Sequence, residues 1–412
     1  MTNKPIRSGA MSDGSAVNIE ARLRQLVETA HVAVAAACGI DAPRGIDVTR
    51  RLGLDPKLAW KLTRIANARD PFECVRYLPG DRAWEIVGAR LRAHGVDAGL
   101  IGQLLTLAAE VRVAGRRWAG SPSAFVLMAA GVVAEGDPAA SLEHSRNHWQ
   151  SGSYIWGMRM RTMVRLDVFT PAADGRNMQG VTIRGFVDVE RLRPDAPWYI
   201  EVPLVADDAT TAQMPVRFEP LDATDARAEG PSFMRRYCSK RLPQFARSKK
   251  ARTPVVMELP VGAVGMEDRF TLFHGARIRG ELPMHRTPEN QVGSLMQLMH
   301  TPTASLVFDL LIHRDIAGHL PTLAPKAFGV IDGWRGQFSV QSRDRIPMPI
   351  VCREIGAGRR DRQSNACHEL PDIIETAIGY AGCPARDLRH FRTEIAYPPI
   401  PSAVVYEFPL LD

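Results

Sequence analysis

The sequence predicts an α+β protein with a helical N-terminal domain, followed by a larger, mostly antiparallel β-rich region. Apolar residues recur at helical spacing through roughly the first 150 residues. After about residue 151, short β-prone runs such as "VTIRGFVDV" and "ASLVFDLLIH" alternate with turns. At 412 residues the chain also exceeds the roughly 250–300 residues at which single cores stop growing, which predicts more than one domain.

The helices are predicted from apolar stripes and from the residues that end them. A first helix stops at Gly39, and a second, over residues 84–91, stops before Gly95. A long helix covers residues 100–111, and a further one starts at Ser121, where Pro122 suits the first helical position. Inside the β-rich region, "LPDIIETAIGYA" predicts one clear helix over residues 370–381.

The predicted organisation is a disordered tail over residues 1–16, a helical domain over 17–150 and a β-rich α+β region over 151–412. The last region is long enough for two subdomains. Within it, the acidic stretch 207–229 is interpreted as a long connection or insertion. The strand-like runs near residues 164 and 305 share a rhythm that suggests a duplicated β unit.

The composition argues against a membrane protein and against a zinc ribbon. No run of 18 apolar residues occurs, so no membrane span is expected. The six cysteines include no CxxC pair, which argues against a zinc ribbon and favours reduced thiols in the cytoplasm. Arg is far more frequent than Lys, and Ala is abundant. Both features are typical of proteins from GC-rich bacteria. The net charge of +7 permits a polyanionic partner.

The stretch "RRLGLDPKLAWKLTRIA", residues 50–66, has the pattern of a helix end, a tight turn and a second helix. Gly53 stands where the turn needs a positive φ, and Asp55 with Pro56 forms a helix start. The residues spaced to face the core are Val48, Leu52, Leu54, Ala59 and Leu62.

The outward positions of the second helix are Pro56, Lys57, Trp60, Lys61 and Arg64. Three of the five are cationic, as a helix lying among phosphates requires. In this register residues 45–67 resemble the helix-turn-helix of bacterial transcription regulators. The resemblance implies that Lys57, Lys61 and Arg64 hold DNA phosphates while their helix enters the major groove, with Trp60 against a sugar or a thymine methyl.

A structural interpretation of the same stretch stays open. Corners made of two helices and a tight turn occur in many all-α domains that do not touch DNA. In that case Trp60 packs against the helix predicted over residues 82–94, and the corner serves packing or protein contact.

A second basic run covers residues 233–252 and contains no acid. Its cations are Arg235, Arg236, Lys240, Arg241, Arg247, Lys249, Lys250 and Arg252. Phe233, Tyr237 and Phe245 are interleaved, and cations beside stacking rings are typical of surfaces that bind single-stranded nucleic acid. The alternatives are a solvated loop whose rings anchor it to the core, or a site for an acidic protein or for the acidic stretch 207–229.

Three further groups of residues are weaker candidates for a metal-binding or phosphate-binding site. His144 and His148 would share a helix face, but the motif of zinc proteases is absent. Cys367–His368, with Cys352, Cys383 and His390, matches no known ligand spacing. The loop "REIGAGRRDRQSN", residues 353–365, is either a basic hairpin tip or a phosphate nest.

These observations predict a DNA-binding protein of the bacterial cytoplasm. We expect a transcriptional regulator whose β-rich region senses a ligand, dimerises or assembles with a partner. Double-stranded DNA is the expected partner, and a homodimer is expected from that class of protein. The sequence assigns no catalytic residue, metal ligand or cofactor, and an enzyme is not favoured. Two alternatives stay open: an enzyme or ligand-binding protein with its site in the β-rich region, and an assembly protein.

Overall fold

A computed structural model describes residues 15–133, 138–202, 216–221, 233–247, 255–288, 291–317, 320, 323–329, 342–356 and 358–412. The chain divides into two compact units, Met1–Ser141 (unit 1) and Leu142–Asp412 (unit 2). Residues 1–14 of the predicted tail lie outside the described residues, and the first helix begins at Ser15.

Unit 1 is helical. Its α-helices are α1 (Ser15–Cys38), α2 (Gly45–Leu52), α3 (Pro56–Ala66), α4 (Asp81–Ala93), α5 (Ala98–Ala119) and α6 (Pro122–Val133), with a 3₁₀ helix over Pro71–Tyr77. The starts of α3 and α5 follow from capping chemistry, because Asp55 and Asp97 each accept a backbone N–H of the first turn that follows. Gly95, just after α4, has a φ of 75°, a value that favours glycine.

The core of unit 1 forms where α1 packs against α5, α3 and α2. Every helix contributes an apolar stripe at a spacing of three or four residues. Fully buried members are Leu23, Leu26, Ala30, Val34, Val48, Leu52, Leu62, Ile65, Val87, Leu91, Ile101, Leu104 and Val111.

Among the described helices, α5 is long and apolar enough to cross a membrane by length and composition alone. Ile101, Leu104 and Val111 are buried in the core of unit 1, whereas Glu110 and Arg116 are exposed. Core helices pass the same test, and the buried residues of α5 form the side of the helix that faces this core.

Unit 2 begins within α7 (Pro138–Trp156), which carries the chain past the boundary predicted at residue 150. The strands that follow are β1 (Met158–Pro171), β2 (Met178–Arg191), β3 (Tyr199–Val202), β4 (Val216–Pro220), β5 (Ala246–Arg247), β6 (Val255–Glu258), β7 (Phe270–Gly280), β8 (Val292–Met299), β9 (Thr303–His313), β10 (Lys326–Phe328), β11 (Arg345–Ile346), β12 (Cys352–Ile355), β13 (Leu388–Ala396) and β14 (Ser402–Pro409). Among the described residues, two α-helices, α8 (Arg314–Ala317) and α9 (Leu370–Ala381), and short 3₁₀ helices lie between these strands.

The main sheet of unit 2 has the described order β12-β13-β9-β1-β2-β7-β4. Its neighbouring strands are antiparallel except at the centre, where β1 and β9 run parallel with Val164 opposite Val307. These two strands are the runs whose similar rhythm suggested a duplicated unit. Each is followed on its own side of the sheet by antiparallel strands.

Two layers cover the main sheet. One face carries Val164, Leu166 and Val307, and packs against Ile373 and Ile374 of α9. The opposite face packs against a second sheet, of order β11-β10-β14-β8, which contributes residues such as Tyr406. A small third sheet, of order β3-β6-β5, adds residues such as Ile200 to that core. Helices therefore precede a larger, mostly antiparallel sheet region, and the α+β prediction is confirmed.

The acidic stretch 207–229 is more than a connection. Val216–Pro220 of that stretch forms β4, which pairs antiparallel with β7 at the edge of the main sheet. The strand is formed by the short β-prone run "VRFEP". Composition alone did not reveal it because the residues around the run are acidic. The remainder of the stretch, apart from Leu221, lies outside the described residues.

Candidate nucleic-acid interface

The turn between α2 and α3 has the local geometry that the sequence predicts. Gly53 has a φ of 62°, and its N–H donates to the carbonyl oxygen of Thr49 at 3.0 Å. Asp55 caps α3 by accepting from the backbone N–H of Lys57 at 2.9 Å and of Leu58 at 3.3 Å. The two helices therefore meet through a turn of three residues, 53–55, whose conformation is set by Gly53 and Asp55.

The inward faces of α2 and α3 are fixed by burial. The five residues predicted to face the core are all buried: Val48, Leu52, Leu54, Ala59 and Leu62. Ile65 extends the same stripe by one position and is also buried. Because these residues hold both helices in the core of unit 1, the opposite face of α3 is fixed in orientation as well.

The predicted contact residues lie on that opposite face. Lys57 and Arg64 are exposed and Lys61 is half-buried. The ring of Trp60, 47% exposed, meets Tyr77 edge-on with 5.1 Å between centroids, and the guanidinium of Arg64 lies 5.6 Å from its centroid. Among the described residues, Lys57, Lys61 and Arg64 take part in none of the salt bridges.

Further cations surround this ridge. Arg50 and Arg51 are exposed in the last turn of α2, and the guanidinium of Arg90 on α4 lies beside Gly53. Residues 15–133 of unit 1 contain sixteen Lys and Arg against eleven Asp and Glu. The α3 face is thus part of a unit with an excess of positive charge.

Gly53 offers a direct test of the turn. We expect Gly53→Val to destabilise unit 1 by about 1–2 kcal/mol, because an L side chain is strained at positive φ. Gly53→Asn should cost less, since Asn tolerates this region better. Space is not the cause, because a Cβ at Gly53 meets only the guanidinium of Arg90 at 3.7 Å. Urea unfolding followed by circular dichroism measures both variants, and equal losses would contradict the argument.

The second basic run is held at the surface of unit 2. Arg235, Arg236, Lys240 and Arg241 are exposed, and Arg247 ends β5. The other predicted cations, Lys249, Lys250 and Arg252, lie outside the described residues.

The rings interleaved with that run are partly buried and contact the rest of unit 2. The Tyr237 hydroxyl donates to the Asp372 carbonyl oxygen at 3.1 Å and lies 2.7 Å from the hydroxyl of Thr376, both on α9. Phe233 and Phe245 are half-buried against the core, with 6.2 Å between their centroids. These contacts are the ones that the alternative interpretation expects, in which the rings anchor a solvated loop to the core.

The cysteines and histidines grouped by sequence are dispersed in the fold. Cys352 lies 3.7 Å from the Tyr406 hydroxyl, whereas Cys367 is buried under α9, where burial raises its pKa to about 12. His148 accepts the backbone N–H of Ile400 at 3.4 Å. His390 lies 3.4 Å from Asp309. None of these contacts assembles the metal site considered from sequence.

The loop over residues 353–365 contains paired arginines. Arg359 bridges Asp372 at 2.6 Å and Glu375 at 3.4 Å, both on α9. Arg362 is buried, and its backbone carbonyl oxygen accepts from Arg392. Of the three arginines that a phosphate nest would use, Arg359 is therefore engaged in ion pairs and Arg362 is withdrawn from the surface.

Two buried ion pairs were missed by the sequence analysis. Arg392 forms two hydrogen bonds of 2.7 Å to the carboxylate of Asp309, and Arg165 donates to Asp167 at 2.6 Å. The only hint in the sequence is a charge inside an apolar run, as in "SLVFDLLIH". Burial raises the pKa of Asp309, but hydrogen bonds from Arg392 and the neighbouring His390 outweigh it and hold that pKa below its usual range.

A half-open cavity of about 500 Å³ lies beside the Asp309–Arg392 pair. It is lined by Val351, Arg353, Glu354, Ile355, Gly356, Asp361, Gln363, Arg392 and Glu394. Glu354 is bound by Arg389 through two hydrogen bonds, and Glu394 accepts from Ser364. The cavity is polar, with both signs of charge on its walls.

Comparisons with known proteins do not identify a family. No protein-family model matches the chain, and no curated protein matches its sequence. Among solved structures, it is similar to a mutant two-domain M1 zinc metallopeptidase bound to L-tryptophan, with 9% identity and a TM-score of 0.19. The match covers 48% of this chain and 44% of that one, and a similarity of this size carries no argument about fold or function.

Proposed function

We propose that this protein binds double-stranded DNA through α3 and acts as a transcriptional regulator. One observation carries the proposal: Lys57, Lys61 and Arg64 line the side of α3 that faces away from the core, outside the salt bridges of the described residues. A helix held this way can lie along a groove without rearranging its own packing.

The proposed mechanism is non-covalent. Lys57, Lys61 and Arg64 neutralise phosphates, and the exposed edge of Trp60 contacts a sugar or a thymine methyl. The contact between Trp60 and Tyr77 fixes the ring before DNA arrives, which lowers the entropy lost on binding. Arg50, Arg51 and Arg90 extend the positive surface beyond α3.

Unit 2 takes the sensing or oligomerising role in this proposal, and the protein works in the cytoplasm as a homodimer on two half-sites. The 500 Å³ cavity beside Arg392 supports a small polar ligand for unit 2. The same cavity also supports the rival candidate, a ligand-binding protein or enzyme that acts without DNA.

The test is a salt titration of binding to random duplex DNA. We expect a triple variant, Lys57→Ala with Lys61→Ala and Arg64→Ala, to bind at least about tenfold more weakly at low salt. The slope of log affinity against log salt should flatten by about 0.9 for each lost phosphate contact.

A matched triple variant controls for net charge. Arg82, Arg116 and Arg117 are exposed cations on α4 and α5, and replacing all three by Ala removes the same charge outside α3. Equal losses in the two triple variants would reduce the effect to net charge alone. Absence of duplex binding by the unaltered protein at low salt would leave the ligand-binding and assembly alternatives.

A further inference from the structure

Three side chains that can bind metal meet at one end of the main sheet in unit 2. They are His313 at the end of β9, Cys383 directly after Gly382 at the end of α9, and Asp387 in the turn that leads into β13. One ligand atom from each lies within 4.8 Å of the other two, and all three residues are half-buried. Across the part of the chain that the structure describes, this is the one group of three or more such residues.

The backbone around the group is fixed by the sheet and by turns. Leu388 pairs with His313 across β13 and β9, which places Asp387 next to that histidine. Gly382 ends α9 with a φ of 67° and directs the chain back toward β9. The Asp387 N–H donates to the Pro384 carbonyl oxygen at 3.0 Å, and Arg314 donates to the carbonyl oxygen of Arg386 at 2.9 Å. Two segments about 70 residues apart in sequence are thus tied together at this point.

We propose that His313, Cys383 and Asp387 form a binding site for Zn²⁺. A thiolate, an imidazole and a carboxylate are the donors that Zn²⁺ takes, and calcium or magnesium sites do not use sulfur. With bonds of about 2.0–2.3 Å in tetrahedral geometry, the donor atoms of such a site lie roughly 3.5 Å apart. The observed separation is at most 4.8 Å, so the donor atoms need to approach one another by at most about 1.3 Å.

A second carboxylate lies beside the site. Nδ1 of His313 accepts the backbone N–H of Asp315 at 3.2 Å, and the Asp315 carboxylate lies 3.4 Å from the same nitrogen. Arg386 lies 3.8 Å from the Asp387 carboxylate, but this cation is highly exposed, and such a pair contributes little. Zn²⁺ would replace a weak contact with a bonded one.

The test uses the full-length, reduced, metal-free protein and Zn²⁺ in competition with a chromophoric chelator. We expect one tight site, and we expect Cys383→Ser, His313→Gln and Asp387→Asn each to weaken it at least about tenfold. Co²⁺ in place of Zn²⁺ should give a sulfur-to-metal charge-transfer band that Cys383→Ser abolishes. Cys38→Ser is the matched control, since Cys38 is a half-buried thiol on α1, and it should keep both the affinity and the band.

Thermal unfolding separates loss of the site from loss of the fold. Zn²⁺ should raise the melting temperature of the unaltered protein and of Cys38→Ser, and should leave that of Cys383→Ser unchanged. The proposal is overturned if the unaltered protein shows no tight site. It is also overturned if a folded Cys383→Ser variant binds Zn²⁺ as tightly as the unaltered protein. DNA binding is not measured in either assay, so this result is independent of the proposed function.

Discussion

Replacing Arg392 with Met is expected to destabilise unit 2 by about 3–5 kcal/mol, because it removes the guanidinium that pairs with the buried carboxylate of Asp309 and leaves only His390 beside that charge. The guanidinium of Arg392 also donates to the carbonyl oxygens of Arg362 and Gln363, at 3.0 and 2.8 Å. Methionine fills a similar volume but satisfies none of these acceptors. Urea unfolding at pH 7 measures the loss.

The pH dependence of this variant has a defined sign. The folded-state pKa of Asp309 is lowered in the unaltered protein, so its contribution to stability is present above the unfolded pKa of about 3.9 and is lost as the pH falls. Without the guanidinium, burial should raise the pKa of that carboxyl. The variant then takes up a proton more readily, and its deficit in unfolding free energy should shrink between pH 7 and pH 5.

An exposed pair provides the control for Arg392→Met. Arg359 contacts Asp372 and Glu375 at the surface of α9, and Arg359→Met should destabilise unit 2 far less than Arg392→Met, because exposed ion pairs contribute little. A similar loss in both variants would mean that burial does not decide the strength of the Asp309–Arg392 pair.

Phe308→Ala is expected to destabilise unit 2 by about 3–5 kcal/mol. Phe308 is fully buried on β9, with its ring centroid 4.6 Å from that of Tyr406 and the guanidinium of Arg165 4.9 Å away. Truncation removes contacts on both sides and leaves a cavity between the two sheets. The midpoint of urea unfolding reports the change.

A graded series tests the cause. Phe308→Leu keeps much of the side-chain volume, so it should cost less than half as much as Phe308→Ala. Calorimetry on both variants should rank them in that order. A Phe308→Ala protein that unfolds within about 1 kcal/mol of the unaltered one would show that this ring does not fill the space between β9 and β14.

Much of the helical part of the fold was predictable because its determinants are local. The bounds of α9 agree with the prediction, since apolar spacing, Pro371 and Gly382 mark both ends. The end of α7 at Trp156 lies beyond the change of pattern placed at about residue 151, because Ser151 and Gly152 continue the helix. The order of the strands depends on contacts distant in sequence, and periodicity carries no information on such contacts.

The candidate site shows the same division. The faces of α2 and α3 followed from spacing, and the burial of Leu62 and the exposure of Lys57 agree with it. Cys383 was considered with cysteines and histidines near it in sequence, whereas the fold brings it to His313 and Asp387. The register of β9 against β13 is what brings Asp387 next to His313. This register is set by the packing of the whole sheet, so the sequence does not reveal it.

The centre of the main sheet in unit 2 can form only after both β1 and β9 have been synthesised, because these two strands pair with each other there. About 140 residues separate Val164 from Val307, so a ribosome must release most of the polypeptide before these strands meet. Until then, one edge of β1 is unpaired and can pair with strands of other nascent chains. Closing so large a loop also slows folding. Unit 2 should therefore fold slowly and aggregate readily when synthesis outpaces assembly, and early engagement of β1 by a chaperone should raise its yield.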